Sequence, residues 1–116
     1  MQRHWLIGSI LLALSAGVEA VNLGFLKNTP VARFNDQDMD MAHAALNQAL
    51  AGPDGVTVSW ENPATGAQGS YTPLDSFQRN GRTCRTAQLA HSARGRQGTG
   101  RYTLCQQENG SWGFAP

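Results

Sequence analysis

Beyond the N-terminal segment, the side chains with chemistry to offer in this 116-residue chain are few: two cysteines, Cys84 and Cys105, the histidines His43 and His91, and a run of arginines toward the C-terminus. A metal centre needs three or four ligands and a supporting shell. Only Asp36 and Asp40 fall near His43 on a helical face. A serine or cysteine nucleophile needs a base and a group that orients the base. No Gly-x-Ser-x-Gly motif is present, and the two cysteines suit one bridge with no thiol left over. His43 and His91 read as ordinary exposed histidines. The expectation is a non-enzymatic protein with no catalytic residues, no metal and no cofactor.

The arginines are the more informative group. The formal charge of +1 hides an asymmetry. Residues 21–75 carry Lys27 and Arg33 against six carboxylates, a net −4, while residues 76–116 carry six arginines against Glu108, a net +5. The planar guanidinium suits phosphate and carboxylate. Arg94 and Arg96 flank a glycine, with Arg101 close behind. This predicts a basic hairpin that binds an anionic surface. The same arginines also suit the solvated faces of strands.

The first twenty residues set the compartment. Gln2, Arg3 and His4 precede an apolar run from Trp5 to Val18, and Val18-Glu19-Ala20 fits the small-residue cleavage rule. The run is shorter than the roughly 20 residues needed to span a bilayer. Residues 1–20 are therefore expected to be a signal peptide, 21–34 a leader, and 35–116 the domain. Export permits a disulfide and sets nucleic acid aside as a partner. The absence of a cysteine near the cut predicts that the chain is not lipidated.

One helix is legible. Asn35 is an N-cap, Asp36 and Asp38 lie in the first turn, and Phe34 with Met39 can staple the entry. Met39, Ala42, Leu46, Ala49 and Leu50 fall on one helical stripe, and Gly52-Pro53 stops it. From Val56 the period changes to two. Strands are expected over 56–61, 67–72, 82–91 and 98–107, with a short last strand holding Trp112 and Phe114. Pro73 ends its strand or marks an edge. Asn80-Gly81 and Asn109-Gly110 are hairpin signals. The fold class is α+β: one N-terminal helix on an antiparallel meander of four to five strands. Leu23–Leu26 either packs on the domain or stays free of it.

A turn at Arg94-Gly95 places Ala93 opposite Arg96 and, counting along both strands, Cys84 opposite Cys105. Opposed residues of that kind can be bridged, and closing the loop is worth about 3 kcal/mol in the chain-entropy account. A two-residue turn at Asn109-Gly110 sets Trp112 beside Gln107 and Phe114 beside Cys105. That favours the disulfide face as the core, whereas Tyr102 and Leu104 favour the other, and a slip of one residue exchanges the two. Trp60, Tyr71, Trp112 and Phe114 are assigned to packing rather than to a ligand platform.

Several of these residues occur in an order that resembles the C-terminal domain of the rickettsial 17 kDa surface antigen family. They are Asn35-Asp36-Gln37-Asp38, then Val58-Ser59-Trp60-Glu61-Asn62-Pro63 with Thr65-Gly66, Gly69-Ser70-Tyr71-Thr72-Pro73, Gly81-Arg82-Thr83-Cys84-Arg85, and Cys105-Gln106-Gln107-Glu108-Asn109-Gly110-Ser111-Trp112. Family members are often lipoproteins with a glycine-rich apolar segment ahead of the domain. Here Val21–Phe34 holds one glycine, Gly24. The resemblance implies an envelope protein with no catalytic residues to carry over. The combined expectation is an exported protein, periplasmic or outer-membrane associated, that binds lipopolysaccharide or peptidoglycan through Arg94, Arg96 and Arg101. The alternative is an assembly module docked on an outer-membrane protein, and a small hydrolase ranks last. No oligomeric state follows from the residues.

Overall fold

Capping decides where the helix begins. In the computed structural model, which describes residues 23–116, the Asp38 amide donates to the Asn35 side chain at 2.8 Å, and the Asn35 amide donates to the Asp38 carboxylate at 3.0 Å. This reciprocal box satisfies two donors that a helix start leaves free. Helix α1 then runs Asp36–Ala51 and stops at Gly52. Its buried apolar stripe is Ala42, Ala45, Leu46, Ala49 and Leu50. The signal peptide expected over 1–20 lies outside the described residues.

Five antiparallel strands follow: β1 (Val58–Glu61), β2 (Gln68–Arg79), β3 (Arg82–Ala93), β4 (Arg96–Gln106) and β5 (Trp112–Phe114). Their order in the sheet is their order in the chain, a meander. Two of the turns have both central residues at positive φ: Asn80 (53°) with Gly81 (78°), and Arg94 (52°) with Gly95 (78°). Such turns match the twist of the flanking strands. The second one aligns Ala93 with Arg96 and carries the register down to Cys84 opposite Cys105. The two cysteines form the expected disulfide, with Cα atoms 4.0 Å apart.

The last turn differs from expectation. Glu108, Asn109 and Gly110 form a three-residue loop, closed by Gly110 N–H on Gln107 O at 3.0 Å and Gln107 N–H on Ser111 O at 2.7 Å. Only Gly110 takes positive φ, at 87°. The extra loop residue moves the register by one, so Trp112 opposes Gln106 and Phe114 opposes Leu104. Every side chain of β5 therefore changes face. That settles which side is the core: Arg85, Ala87, Leu89, His91 and Ala93 of β3 alternate inward, with Tyr102 and Leu104 opposite them. The disulfide lies on the other face.

Pro73 does not end its strand. β2 continues through it to Arg79, with a register shift between Pro73 and Asp75. β1 pairs only as far as Tyr71, so the missing N–H of Pro73 costs no ladder bond, and its carbonyl accepts from Gly55 N–H at 2.6 Å. The shift also changes parity, which puts Phe77 beside Cys84 on the disulfide face.

Residues 23–34 complete the core. They form two 3-10 turns, Leu23–Phe25 and Pro30–Arg33. Leu23, Leu26 and Val31 are buried in the same cluster as the helix stripe. Helix α1 packs on β1 and β2, while the second turn packs on β3 and β4. Leu26→Ala should lower unfolding free energy by about 2–5 kcal/mol, the usual cost of such a truncation in a packed core. Chemical denaturation of the parent and the variant measures it.

Candidate functional site

Each candidate group is placed by a row or a clamp of the fold. Trp60, Gly69, His91 and Gly98 form one row across β1 to β4 on the core face. Gly69 is required there, because a Cβ would lie 2.5 Å from Trp60 Nε1. The indole therefore crosses Gly69 and donates to the Tyr71 hydroxyl at 2.9 Å, and that hydroxyl lies 2.9 Å from His91 Nε2. Phe34 meets both Trp60 and His91 edge-on. One proton arrangement satisfies all three polar groups: Trp60 donates to Tyr71, and Tyr71 donates to a neutral His91. Burial lowers the His91 pKa to about 4, and burial also raises that of Tyr71. His91 is thus a buried acceptor, not the exposed histidine expected, because its position in β3 points it inward.

Two polar clamps hold α1. At its start, Asp38 is 2% exposed and accepts from Asn62 Nδ2 and from the Thr65 hydroxyl, both at 2.7 Å. Burial pushes the Asp38 carboxyl up. The hydrogen bonds from Asn35, Thr65 and Asn62 and the charge of Arg94 outweigh it, so its pKa falls below the usual carboxylate value. At the helix end, Arg85 reaches from β3 to the carbonyls of Leu50 (2.6 Å) and Gly52 (2.7 Å) and to Asp54 (2.5 Å). Its cation sits where helix carbonyls carry negative charge. One of the six C-terminal arginines is therefore a buried structural tie, not a solvated or ligand-binding one.

The three arginines expected to form a site are all exposed. Arg94 occupies the first position of the β3–β4 turn, and Arg96 opposes Ala93 on the core-face side. Arg101 opposes Gln88 on the other face. The hairpin brings Arg94 and Arg96 together at its tip and sends Arg101 to the opposite side. Asp54–Arg85 is the salt bridge formed among the described residues, so the tip guanidiniums form none there, although the charge of Arg94 reaches Asp38. Beside the tip, on the disulfide face, lies an open groove of about 550 Å³ with Ser59, Ser70, Ser92, Gln97 and Thr99 among its walls. These hydroxyls and amides, with the exposed Glu61 carboxylate on the same wall, offer hydrogen bonds, while the His91 imidazole is turned into the core. His43 is half-buried and accepts from Leu23 N–H at 3.3 Å. Among the described residues no three of histidine, cysteine, aspartate and glutamate gather to hold a metal.

Residues 47–113 match the family described as 17 kDa outer membrane surface antigen. A 17 kDa surface antigen of Rickettsia bellii (strain RML369-C) is 34% identical over 104 residues, which is 88% of this chain and 64% of that protein. A 17 kDa surface antigen of Rickettsia felis is 31% identical over 80 residues, 67% of this chain and 50% of that one. The chain thus spans about two thirds or less of the length of these relatives. No solved structure matches.

Two buried ionisable groups give pH predictions. The unfolded chain binds a proton at His91 near pH 6.5, whereas the folded one does so only near 4. Stability is present in full above pH 6.5 and falls as pH drops toward 4, by about 3 kcal/mol. His91→Gln should flatten that decline, read from melting temperature against pH. Asp38 acts at lower pH: its stabilisation holds above the ordinary carboxylate range and is lost as pH falls through its depressed pKa. Asp38→Asn replaces one acceptor oxygen by an NH2 donor, which then faces either the Asn35 N–H or the Asn62 and Thr65 donors, and should cost about 1–3 kcal/mol at neutral pH by denaturant titration.

Proposed function

This chain belongs to the family of the 17 kDa outer membrane surface antigen, and on that footing we propose that it is a non-enzymatic protein of the bacterial cell envelope. Its β3–β4 tip is the part that meets an anionic envelope component. The observation that carries the reading is the tip itself, where Arg94 and Arg96 stand exposed and form no salt bridge among the described residues, although the charge of Arg94 reaches Asp38. Arg94 holds φ at 52°, in a turn position that asparagine, aspartate and glycine usually fill. A side chain with a Cβ pays a local conformational cost there, and in return a guanidinium stands at the foremost point of a rigid hairpin. Phosphate groups of lipopolysaccharide fit two neighbouring guanidiniums, as do peptidoglycan carboxylates.

The envelope location is supported by the family's name and by the signal-like order of residues 2–20. No helix among the described residues is long and apolar enough to cross a membrane. The non-enzymatic reading is supported by the burial of His91 and by the engagement of both cysteines in a disulfide. Cell fractionation with N-terminal sequencing of the exported form tests the location.

Binding tests the tip. Each arginine near an anionic surface contributes about 1 kcal/mol, so Arg94→Ala with Arg96→Ala should weaken binding to lipopolysaccharide-bearing vesicles by roughly 30-fold at low salt. Added salt should weaken the parent in the same direction. Equal binding by parent and variant would sink the proposal.

A further inference from the structure

The sheet has two edges, and they differ. On the β1 side, pairing ends at Tyr71, and the next stretch of β2 carries Pro73 and a register shift. Both obstruct an added strand. On the other side, β5 pairs with Leu104–Gln106, and Ala115 N–H donates to Thr103 O at 2.8 Å. Before Thr103, β4 continues back to Arg96 with no strand, among the described residues, on the side away from β3.

The direction of the backbone groups on this stretch follows from its two ends. The Thr103 carbonyl points away from β3, toward Ala115. Groups in a strand alternate sides with each residue, so those of Arg101, Thr99 and Gln97 point the same way. The turn at Arg94-Gly95 closes on the Ala93–Arg96 pair and gives the same phase. Three N–H donors and three carbonyl acceptors therefore line up facing outward. All three residues are exposed, and among the described residues nothing bonds to these groups. The stretch contains neither proline nor a register shift.

The flanks say what kind of strand fits. Arg101 leaves the disulfide face of this edge, and Arg96 the core face near the tip. Where the open stretch meets β5, Phe114 is 44% exposed and stacks on Phe25 at 4.6 Å, and Phe25 meets the Tyr102 ring at 5.5 Å. An incoming strand meets a cation on one face and an aromatic lip on the other. A second copy of β4 would bring its own arginines against these, and like charges on neighbouring strands repel. An acidic strand with alternate apolar residues answers both features.

We propose that the open edge of β4, residues 97–101, is a strand-addition site for an extended acidic segment of another polypeptide. The main-chain ladder supplies affinity and the flanking charge supplies choice, as in other strand-addition complexes. The site adjoins the surface-binding tip but rests on the outward backbone groups of Gln97, Thr99 and Arg101 rather than on the tip guanidiniums.

A blocked heptapeptide alternating glutamate and valine, titrated into the full described chain, tests it by amide hydrogen exchange. Binding should protect Gln97, Thr99 and Arg101 and leave Gly98 and Gly100, which already face β3, unchanged. Thr99→Pro removes an outward N–H without breaking a bond to β3. It should weaken the peptide at least about tenfold while vesicle binding stays as in the parent. Arg101→Glu leaves the backbone alone. It should lose the glutamate peptide and gain a lysine–valine one, and it carries the test by itself if Thr99→Pro melts early. No protection at millimolar peptide overturns the proposal, as does equal peptide binding by parent and Arg101→Glu. Protection that grows with protein concentration alone would assign the edge to self-pairing and overturn it too.

Discussion

One helix of sixteen residues must cover a sheet whose two central strands have twelve residues each. The helix is about 24 Å long and such strands about 40 Å. It cannot cover all five. It sits on β1 and β2, and residues 23–34 supply the rest of the cover over β3 and β4. Most other features of the molecule answer to that division. The helix needs polar ties at both ends because its apolar stripe is narrow and largely alanine. Asp38 ties its start to the β1–β2 turn, and Arg85 ties its end to β3.

The same shortage of cover explains the glycines of the central row. Gly69 makes room for the Trp60 indole, and at Gly98 an added Cβ would stand 3.0 Å from Pro30. Where a strand lacks a side chain, something from the cover or a neighbour lies against the backbone instead. Tyr71 fills the middle with no exposed surface. Its hydroxyl is tolerated because Trp60 and His91 engage it, and a buried polar group without partners would be costly.

The cover also divides the polar groups into those it engages and those it leaves outside. Three polar groups are engaged inside: His91 on Tyr71, Asp38 on the helix start, Arg85 on the helix end. The outside keeps guanidiniums at a hairpin tip, a face of serines, threonines and glutamines, and an unobstructed strand edge at β4. Arg101, once separated from Arg94 and Arg96 by the alternation of β4, belongs to the edge and not to the tip.

Much of this was legible in the residues themselves. The cap at Asn35, the stop at Gly52 and the tight turns at Asn80-Gly81 and Arg94-Gly95 depend on neighbours in the chain. Local stereochemistry dictates such features, and the Cys84–Cys105 bridge follows by counting from one of the turns. Asn109-Gly110 was less legible, because asparagine-glycine suits both a two-residue turn and the three-residue loop that forms, and one residue of difference exchanged the faces of Trp112 and Phe114. The fates of Arg85, His91 and Leu23 were not written locally at all. An arginine and a histidine in period-two strands look the same whether they point to water or inward. Only the seating of α1 and of residues 23–34 on one face decided which way was in, because burial is a property of what packs above a strand and not of the strand's own sequence.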